Sequence, residues 1–237
     1  MEQFSNVLQV PYHKIKEADH VLKGRWNDDF FIASKPIVLE LGCGKGEYTT
    51  GLAGIYPSLN YIGIDIKGAR MWKGAKYAID NDLDNVGFLR THIEMIGQFF
   101  APGEVSEIWL TFPDPQMKKT RKRLTSTRFI DLYRRFLKPE GTIHLKTDSN
   151  FQFQYTYEVI KANNFTIVDK YENVYENENP NPELNIQTFY EKQWLARGIK
   201  IKYISFIPHQ HKLVEPVVDI EPDPYRSFGR GAVTVDE

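Results

Sequence analysis

The chain has 237 residues, of which 41% are hydrophobic and 26% are charged, and its formal net charge is −1. This length suits one full-sized core, and the single cysteine excludes an internal disulfide. No apolar run approaches the roughly 20 residues that a bilayer requires, and the first four residues lack the basic and apolar regions of a signal peptide. We therefore expect a cytoplasmic protein of one domain, with no membrane contact.

Seven short apolar runs recur along the chain, separated by segments with the length and periodicity of helices. The runs are residues 37–41, 61–64, 86–89, 108–112, 142–145, 165–168 and 200–206, and the helical segments are 47–55, 67–80, 127–137 and 151–163. Runs that are apolar at successive positions are typical of strands covered on both faces. Strands that alternate with helices predict an α/β fold with a doubly wound, mostly parallel sheet.

The two ends of the chain differ from this alternating middle. Residues 1–35 are mixed and aromatic, and residues 207–237 are rich in proline and acidic residues without clear periodicity. We therefore predict an N-terminal extension over 1–35, a core domain over 36–206 and a C-terminal tail over 207–237.

The first predicted strand ends in a glycine-rich turn, with Gly42, Gly44 and Gly46 at alternate positions. Alternate glycines let the backbone approach a ligand closely, and the helix that follows offers unpaired N–H groups. The second predicted strand ends at Asp65, a little over twenty residues later, where a carboxylate can accept hydrogen bonds from two ribose hydroxyls. The pattern favours a nucleoside-containing cofactor over a purely structural turn.

Glu40, just before the glycines, indicates which cofactor this is. A dinucleotide site favours G-x-G-x-x-G, whereas Gly46 comes one residue too early for that spacing. An acid at position 40 would repel a pyrophosphate, but it can receive the cationic amino group of a methionine moiety. S-adenosylmethionine is therefore favoured over a nicotinamide dinucleotide. Cys43 is most simply a small residue in a tight turn rather than a nucleophile.

Asp114 lies between Pro113 and Pro115 at the end of the fourth apolar run. Each proline fixes its own φ and pushes the preceding residue into extended geometry, so Asp114 occupies a stiff corner. Five cations follow within six residues; they are Lys118, Lys119, Arg121, Lys122 and Arg123. A carboxylate beside side chains that can neutralise phosphates suits an enzyme that positions a base of RNA or DNA. A turn-stabilising carboxylate followed by a solvated charge run is the alternative.

Two further polar groups follow predicted strands. Asp148 follows the fifth run by three residues, at the strand end where ligands bind in such sheets, and a cap for the next helix is the alternative. Thr188 and Glu191 have the spacing of a capping box, which is compatible with contact to RNA. His209 and His211 supply only two ligands, so we predict no metal site.

With these motifs in order, the chain resembles the bacterial tRNA (guanine-N7)-methyltransferases, which modify the variable-loop guanine at tRNA position 46. The similar part extends over about residues 24–206. The resemblance implies a Rossmann-like class I methyltransferase fold with a seven-stranded sheet, S-adenosylmethionine as cofactor and tRNA as partner. It implies that Asp114 is catalytic, that the cofactor is contacted at Glu40, Gly42, Gly44, Asp65, Thr91 and Asp114, and that the substrate is contacted at Lys118, Asp148, Thr188, Phe189, Tyr190 and Glu191.

The chain departs from the family pattern at two places. Thr91 and His92 replace a common Asp-Ala pair that faces the adenine amino group, and Gln116 and Met117 follow the Pro-Asp-Pro motif where a tryptophan is common. Thr91 can still accept a hydrogen bond, without supplying a charge.

From these residues we expect methyl transfer to guanine N7 in tRNA. The phosphates of the tRNA should be contacted by Lys119, Arg121, Lys122 and Arg123. We expect the active form to be a monomer or a homodimer. A methyltransferase of the same fold with another substrate is one alternative. A non-catalytic RNA-binding module is the other.

Overall fold

The computed structural model describes residues 4–176 and 181–226, and within them eight strands form one sheet. The strands are β1 Val7–Gln9, β2 Ile37–Leu41, β3 Asn60–Asp65, β4 Val86–Arg90, β5 Val105–Thr111, β6 Leu137–Thr147, β7 Thr166–Tyr171 and β8 Lys202–Ile207. The α-helices are α1 Tyr12–Glu17, α2 Trp26–Asp29, α3 Glu47–Ile55, α4 Gly68–Asp80, α5 Thr127–Tyr133, α6 Asn150–Ala162 and α7 Phe189–Ala196.

The strand order is β1-β4-β3-β2-β5-β6-β8-β7, and every neighbouring pair is parallel except the two that involve β8. The chain runs outward from β2 towards one edge and then from β5 towards the other. The order therefore reverses between β2 and β5. In such sheets ligands bind outside the carboxyl ends of the strands at this point.

The hydrophobic core lies on both faces of the sheet. All five residues of β2 are buried, and successive residues of this strand point into different clusters: Ile37, Leu39 and Leu41 into one, Val38 into the other. Continuous apolar runs are required because helices cover both faces.

The predicted doubly wound α/β fold is confirmed, and each of the seven predicted runs is a strand. The count of seven strands is wrong by one, because residues 7–9 add a short edge strand, β1, parallel to β4. Three residues give too little pattern for a prediction. The predicted helix over 127–137 ends early, at Tyr133, because the chain turns there and Leu137 already begins β6.

Beyond β8, residues 208–226 form an extended strap that packs back on the domain. Arg134 Nη1 donates to the carbonyl oxygens of His209 and His211, both at 2.7 Å. Asn163 and Val214 exchange two hydrogen bonds of 2.8 and 2.7 Å. Within the described ranges, no helix is both long enough and apolar enough to cross a membrane.

Candidate active site

Glu40 lies at the point where the strand order reverses and joins three elements. Its side chain, on β2, is 3% exposed. It accepts hydrogen bonds from the Thr49 amide at 2.8 Å and the Thr49 hydroxyl on α3, and from the Thr111 hydroxyl at the end of β5. Burial raises the pKa of Glu40 from 4.5 to about 7, although these hydrogen bonds act in the opposite direction. The carboxyl group therefore titrates near neutrality.

The glycine turn serves two purposes. Gly42, Gly44 and Gly46 have φ values of +82°, +57° and +73°, which L-residues with a side chain rarely adopt. A Cβ atom on Gly42 would meet nothing within 4 Å, so this backbone faces open space. A Cβ on Gly46 would lie 2.7 Å from the Phe88 ring. The first position therefore leaves room for a ligand, whereas the third is required for packing of the sheet.

Asp65, at the end of β3, lines the same open space as Gly42. Its carboxylate accepts hydrogen bonds from the amides of Gly44 at 3.0 Å and Lys67 at 2.8 Å. Its carbonyl oxygen accepts from the Thr91 amide at 3.2 Å, so the ends of β3 and β4 lie together. A cavity of about 270 Å³ opens here; its walls are Gly42, Asp65, Ile66, His92, Ile93, Glu94, Gln116, Lys122, Leu124 and Phe129.

The corner around Asp114 has an unusual backbone. Phe112 and Gln116, on either side of Pro-Asp-Pro, have φ values of +49° and +47°. Such values in residues other than glycine are uncommon and concentrate at functional sites. Asp114 is exposed, and its Oδ1 atom accepts a hydrogen bond from the Gln116 amide at 3.0 Å. The flanking prolines restrict the backbone at Asp114, so the orientation of its second carboxylate oxygen is restricted as well.

The basic loop, residues 118–123, contains two kinds of cation. Lys118, Lys119, Arg121 and Lys122 are exposed. Arg123 is 6% exposed, and its guanidinium donates to the carbonyl oxygens of Gln116 at 3.3 Å and Met117 at 2.7 Å. It also lies over the rings of Phe151 and Tyr155, 4.7 and 4.4 Å from their centroids. Arg123 therefore stabilises the loop, and in this position its buried guanidinium is not accessible to a phosphate.

Asp148 lies just beyond the carboxyl end of β6 and is 1% exposed. It does not cap the next helix, because Ser149 is the N-cap of α6 and accepts from the Gln152 amide at 3.0 Å. The hydroxyl of Tyr225, from the strap, lies 3.1 Å from Oδ2 of Asp148. Asp148 is thus close to the predicted site but covered.

The capping box predicted for Thr188 and Glu191 is present at the start of α7. Glu191 is fully buried, and its carboxylate is also 2.8 Å from Lys146 Nζ and 2.7 Å from the Tyr175 hydroxyl. Thr188 is 9% exposed. These two residues therefore shape the first turn of α7, which is where the two aromatic residues between them are displayed.

Phe189 and Tyr190 are exposed beside the glycine turn. Their exposures are 45% and 40%. Lys45 Nζ lies 3.7 Å from the centroid of the Phe189 ring, and the Phe189 amide donates to Glu47 at 3.0 Å. The aromatic pair is thereby tied to the start of α3.

The sequence interpretation missed several walls of the cavity. Ile66 directly follows β3, and Ile93 comes three residues after β4, so position after a strand was an available signal. The sequence identified His92 only as a departure from the family pattern. Leu124 and Phe129 come from the far side of the basic loop, and only the tertiary fold brings them here. In the part of the chain that the structure describes, no group of three or more His, Cys, Asp or Glu side chains is suited to hold a metal ion.

Comparisons with known proteins indicate the family to which the chain belongs. Residues 34–204 match a family model described as "Putative methyltransferase". The tRNA (guanine-N(7)-)-methyltransferase of Bacteroides thetaiotaomicron is 53% identical over 97% of this chain and 92% of its own length. The protein of the same name from Porphyromonas gingivalis is 52% identical over 97% of this chain and 96% of its own.

Solved structures are similar in fold alone. The 16S rRNA methyltransferase KamB has a TM-score of 0.54 at 16% identity, over 73% of this chain and 88% of that one. A 30S ribosomal A1408 methyltransferase from an uncultured bacterium has a TM-score of 0.53 at 14% identity, with the same coverages. On the strength of the family model and the full-length relatives, the chain belongs to the family of the tRNA (guanine-N7)-methyltransferases.

Proposed function

We propose that this protein transfers a methyl group from S-adenosylmethionine to N7 of the variable-loop guanine of tRNA. One observation carries the proposal. The cavity beside the glycine turn and Asp65 is also lined by Gln116 and Lys122, so the cofactor side and the basic loop share one space. A methyl donor bound there lies next to the surface that RNA would cover. The names of the relatives support guanine N7 in tRNA as the methyl acceptor.

The residues around the cavity suit a nucleoside cofactor. The open backbone at Gly42 admits a close approach, and the Asp65 carboxylate, fixed by two amides, remains partly accessible for ribose hydroxyls. When bound, S-adenosylmethionine supplies a methyl group on a sulfonium. Glu40 lies at the topological switch point, and its carboxyl group, whose pKa is about 7, would supply negative charge for the amino group of the cofactor when it is ionised.

The chemistry requires no general base. Guanine N7 carries a lone pair and no proton, so the main tasks of the protein are proximity and orientation. The Asp114 carboxylate is suited to accept hydrogen bonds from the N1–H and amino N–H edge of guanine. Its charge would also partly offset the positive charge that develops on the base. Asp114 is catalytic in this sense, as the group that holds the reacting base.

The exposed cations before Arg123 would hold the RNA. Lys119, Arg121 and Lys122 are exposed and would contact phosphates, which sets the register of an RNA without reading its sequence. Lys118, next to the Asp114 corner, would lie nearer the guanine. Phe189 and Tyr190 offer exposed rings to an unpaired base, consistent with recognition of RNA loops by stacking.

The decisive experiment is incubation with S-adenosylmethionine labelled in the methyl group and an unmodified tRNA transcript, followed by digestion to nucleosides. We expect the label in 7-methylguanosine. A matched transcript with adenine in place of the variable-loop guanine should take up none. Label in another nucleoside or in a protein would indicate a different substrate, and cofactor binding without transfer would indicate an RNA-binding module.

A further inference from the structure

The strap, residues 208–226, is fixed to the domain by two carboxylates. Glu215 accepts hydrogen bonds from the Thr127 amide at 3.1 Å, the Thr127 hydroxyl at 2.6 Å and the Tyr155 hydroxyl. Asp223 is 3% exposed and accepts from the Phe151 amide at 3.0 Å and the Ser149 hydroxyl. The strap begins after residue 204, where the family match ends, so the family model does not account for it.

The second carboxylate fixes the strap close to Asp148. Asp223 lies at the first turn of the 13-residue helix α6, where negative charge is favourable because of the unpaired N–H groups and the helix dipole. Asp223 is two residues before Tyr225 in the strap, and its hydrogen-bond partner Ser149 directly follows Asp148 in the chain. The position of Tyr225 beside Asp148 is therefore determined from both sides.

Tyr225 and Asp148 form a pair in which the tyrosine is the more exposed member. The Tyr225 hydroxyl lies 2.9 Å from the carbonyl oxygen of Asp148 and 3.1 Å from its Oδ2 atom. The Tyr225 ring lies 5.4 Å from that of Trp194 on α7. Asp148 is 1% exposed, whereas Tyr225 is partly exposed. A base that approaches this end of β6 from solvent would reach Tyr225 before the carboxylate.

We propose that Tyr225 is a substrate-positioning residue and that Asp148 acts on the guanine through it. The proposal rests on the proposed function and extends the substrate site to the strap. Asp148 lies at the carboxyl end of β6, next to β5 and the Asp114 corner; the Phe112 amide donates to the Lys146 carbonyl at 2.8 Å. A flat ring with a polar tip suits a purine, which offers a π face and a hydrogen-bonding edge. The hydrogen bond between the Asp148 carboxylate and the Tyr225 hydroxyl fixes the orientation of the Tyr225 ring.

The test compares the full-length Tyr225→Phe, Asp148→Asn and double variants with the wild type. The control is Tyr155→Phe, which removes the hydroxyl at the Glu215 anchor and keeps its ring. The measurements are kcat and KM for tRNA, affinity for S-adenosylhomocysteine by calorimetry, tRNA affinity by fluorescence anisotropy, and Tm.

We expect Tyr225→Phe to lower kcat/KM for tRNA by about tenfold, the effect of a lost hydrogen bond of about 1.4 kcal/mol. Affinity for S-adenosylhomocysteine should stay unchanged. The double variant should be no worse than the more severe single variant, because coupled residues are not additive. Tyr155→Phe should lower Tm without changing kcat/KM.

Three kinetic results would overturn the proposal. An unchanged kcat/KM in Tyr225→Phe would make the strap purely structural, and an increased one would make it a shield over the site. Fully additive losses would mean that Asp148 acts independently. If the wild type methylated no guanine in tRNA, the proposed function itself would fail. In that case an unchanged tRNA affinity of Tyr225→Phe would also overturn this inference, and a weakened affinity would retain the strap as part of an RNA site.

Discussion

Lys146 Nζ lies 2.8 Å from Oε1 of Glu191, and neither side chain is exposed to solvent. Lys146 also donates to the carbonyl oxygens of Leu184 and Ile186, at 2.8 and 2.9 Å. Burial lowers the pKa of Lys146 and raises that of Glu191, while the attraction between them acts against both shifts. The pair links β6 to α7 and the chain that precedes α7. It thereby connects the strand before Asp148 with the turn that displays Phe189.

We expect Glu191→Ala to destabilise the protein by about 3 to 5 kcal/mol, because it leaves the Lys146 charge buried without its partner. The measurement is the free energy of unfolding in urea. Asp80→Ala is the control, since it removes an ion pair with Lys76 of 2.6 Å in which both side chains are about half exposed. It should cost less than about 1 kcal/mol. If both variants lost the same free energy of unfolding, the buried pair would contribute no more to stability than the exposed one.

Glu40 should make stability depend on pH. Its pKa rises from 4.5 to about 7 on folding, so the folded state binds more protons than the unfolded state between these values. The stability that neutral Glu40 contributes is fully present below about 4.5 and is lost as pH rises through about 7. The expected loss is about 3 kcal/mol.

The measurement is the free energy of unfolding at several pH values, for wild type and Glu40→Gln. The variant should lack this decrease, because its side chain does not titrate. All other ionisable groups are common to both proteins, so the difference between the two curves isolates Glu40. Parallel curves would mean that folding leaves the pKa of Glu40 unshifted.

The sequence predicted the strands well because most are buried on both faces and read as continuous apolar runs. Helix α3, at Glu47–Ile55, was predicted to the residue from the length and periodicity of the segment that follows the glycine turn. The strap was not predictable, since Glu215 and Thr127 are 88 residues apart and Asp223 and Ser149 are 74 apart. Such contacts join single polar residues and leave no periodic pattern. The same holds for Arg123, whose burial depends on rings from α6 that no local rule connects with the basic loop.

We expect Asp65→Ala to weaken binding of S-adenosylhomocysteine by about 1.5 to 3 kcal/mol, the cost of losing hydrogen bonds to a charged group. Affinity for tRNA should change little. Calorimetry of both ligands measures the effect, with Asp84→Ala as a control that removes an exposed acid shortly before β4. Unchanged cofactor affinity would remove Asp65 from the site.

Asp114→Asn is a sharp test of the corner, because its Oδ1 atom can still accept from the Gln116 amide. The substitution replaces the other acceptor by a donor that would face the guanine N–H groups. The single-turnover rate of methyl transfer should fall by the equivalent of about 2.7 to 4 kcal/mol. Tm and cofactor affinity should stay close to those of the wild type. A fully active variant would reduce Asp114 to a structural part of the turn.

The exposed cations of the basic loop should govern tRNA affinity and its salt dependence without affecting the chemistry. Each phosphate contact that is lost should flatten the slope of log K against log salt by roughly 0.7 to 0.9. The double variant Lys119→Gln with Arg121→Gln should therefore flatten it by about 1.5 and raise KM. Lys122 is left unchanged because it also lines the cavity, where its loss would mix two effects.

The matched control replaces Lys76 and Lys161, which are exposed on α4 and α6, with glutamine. It removes the same charge from the protein as the loop variant does. If only local contacts matter, the control keeps the wild-type salt slope, and single-turnover rates at saturating tRNA are equal in all three proteins. Equal flattening in both variants would mean that overall charge, rather than this loop, attracts the RNA. An unchanged slope in the loop variant would mean that other cations contact the phosphates. Arg128 and Arg135, which follow the basic loop in the chain, are exposed candidates.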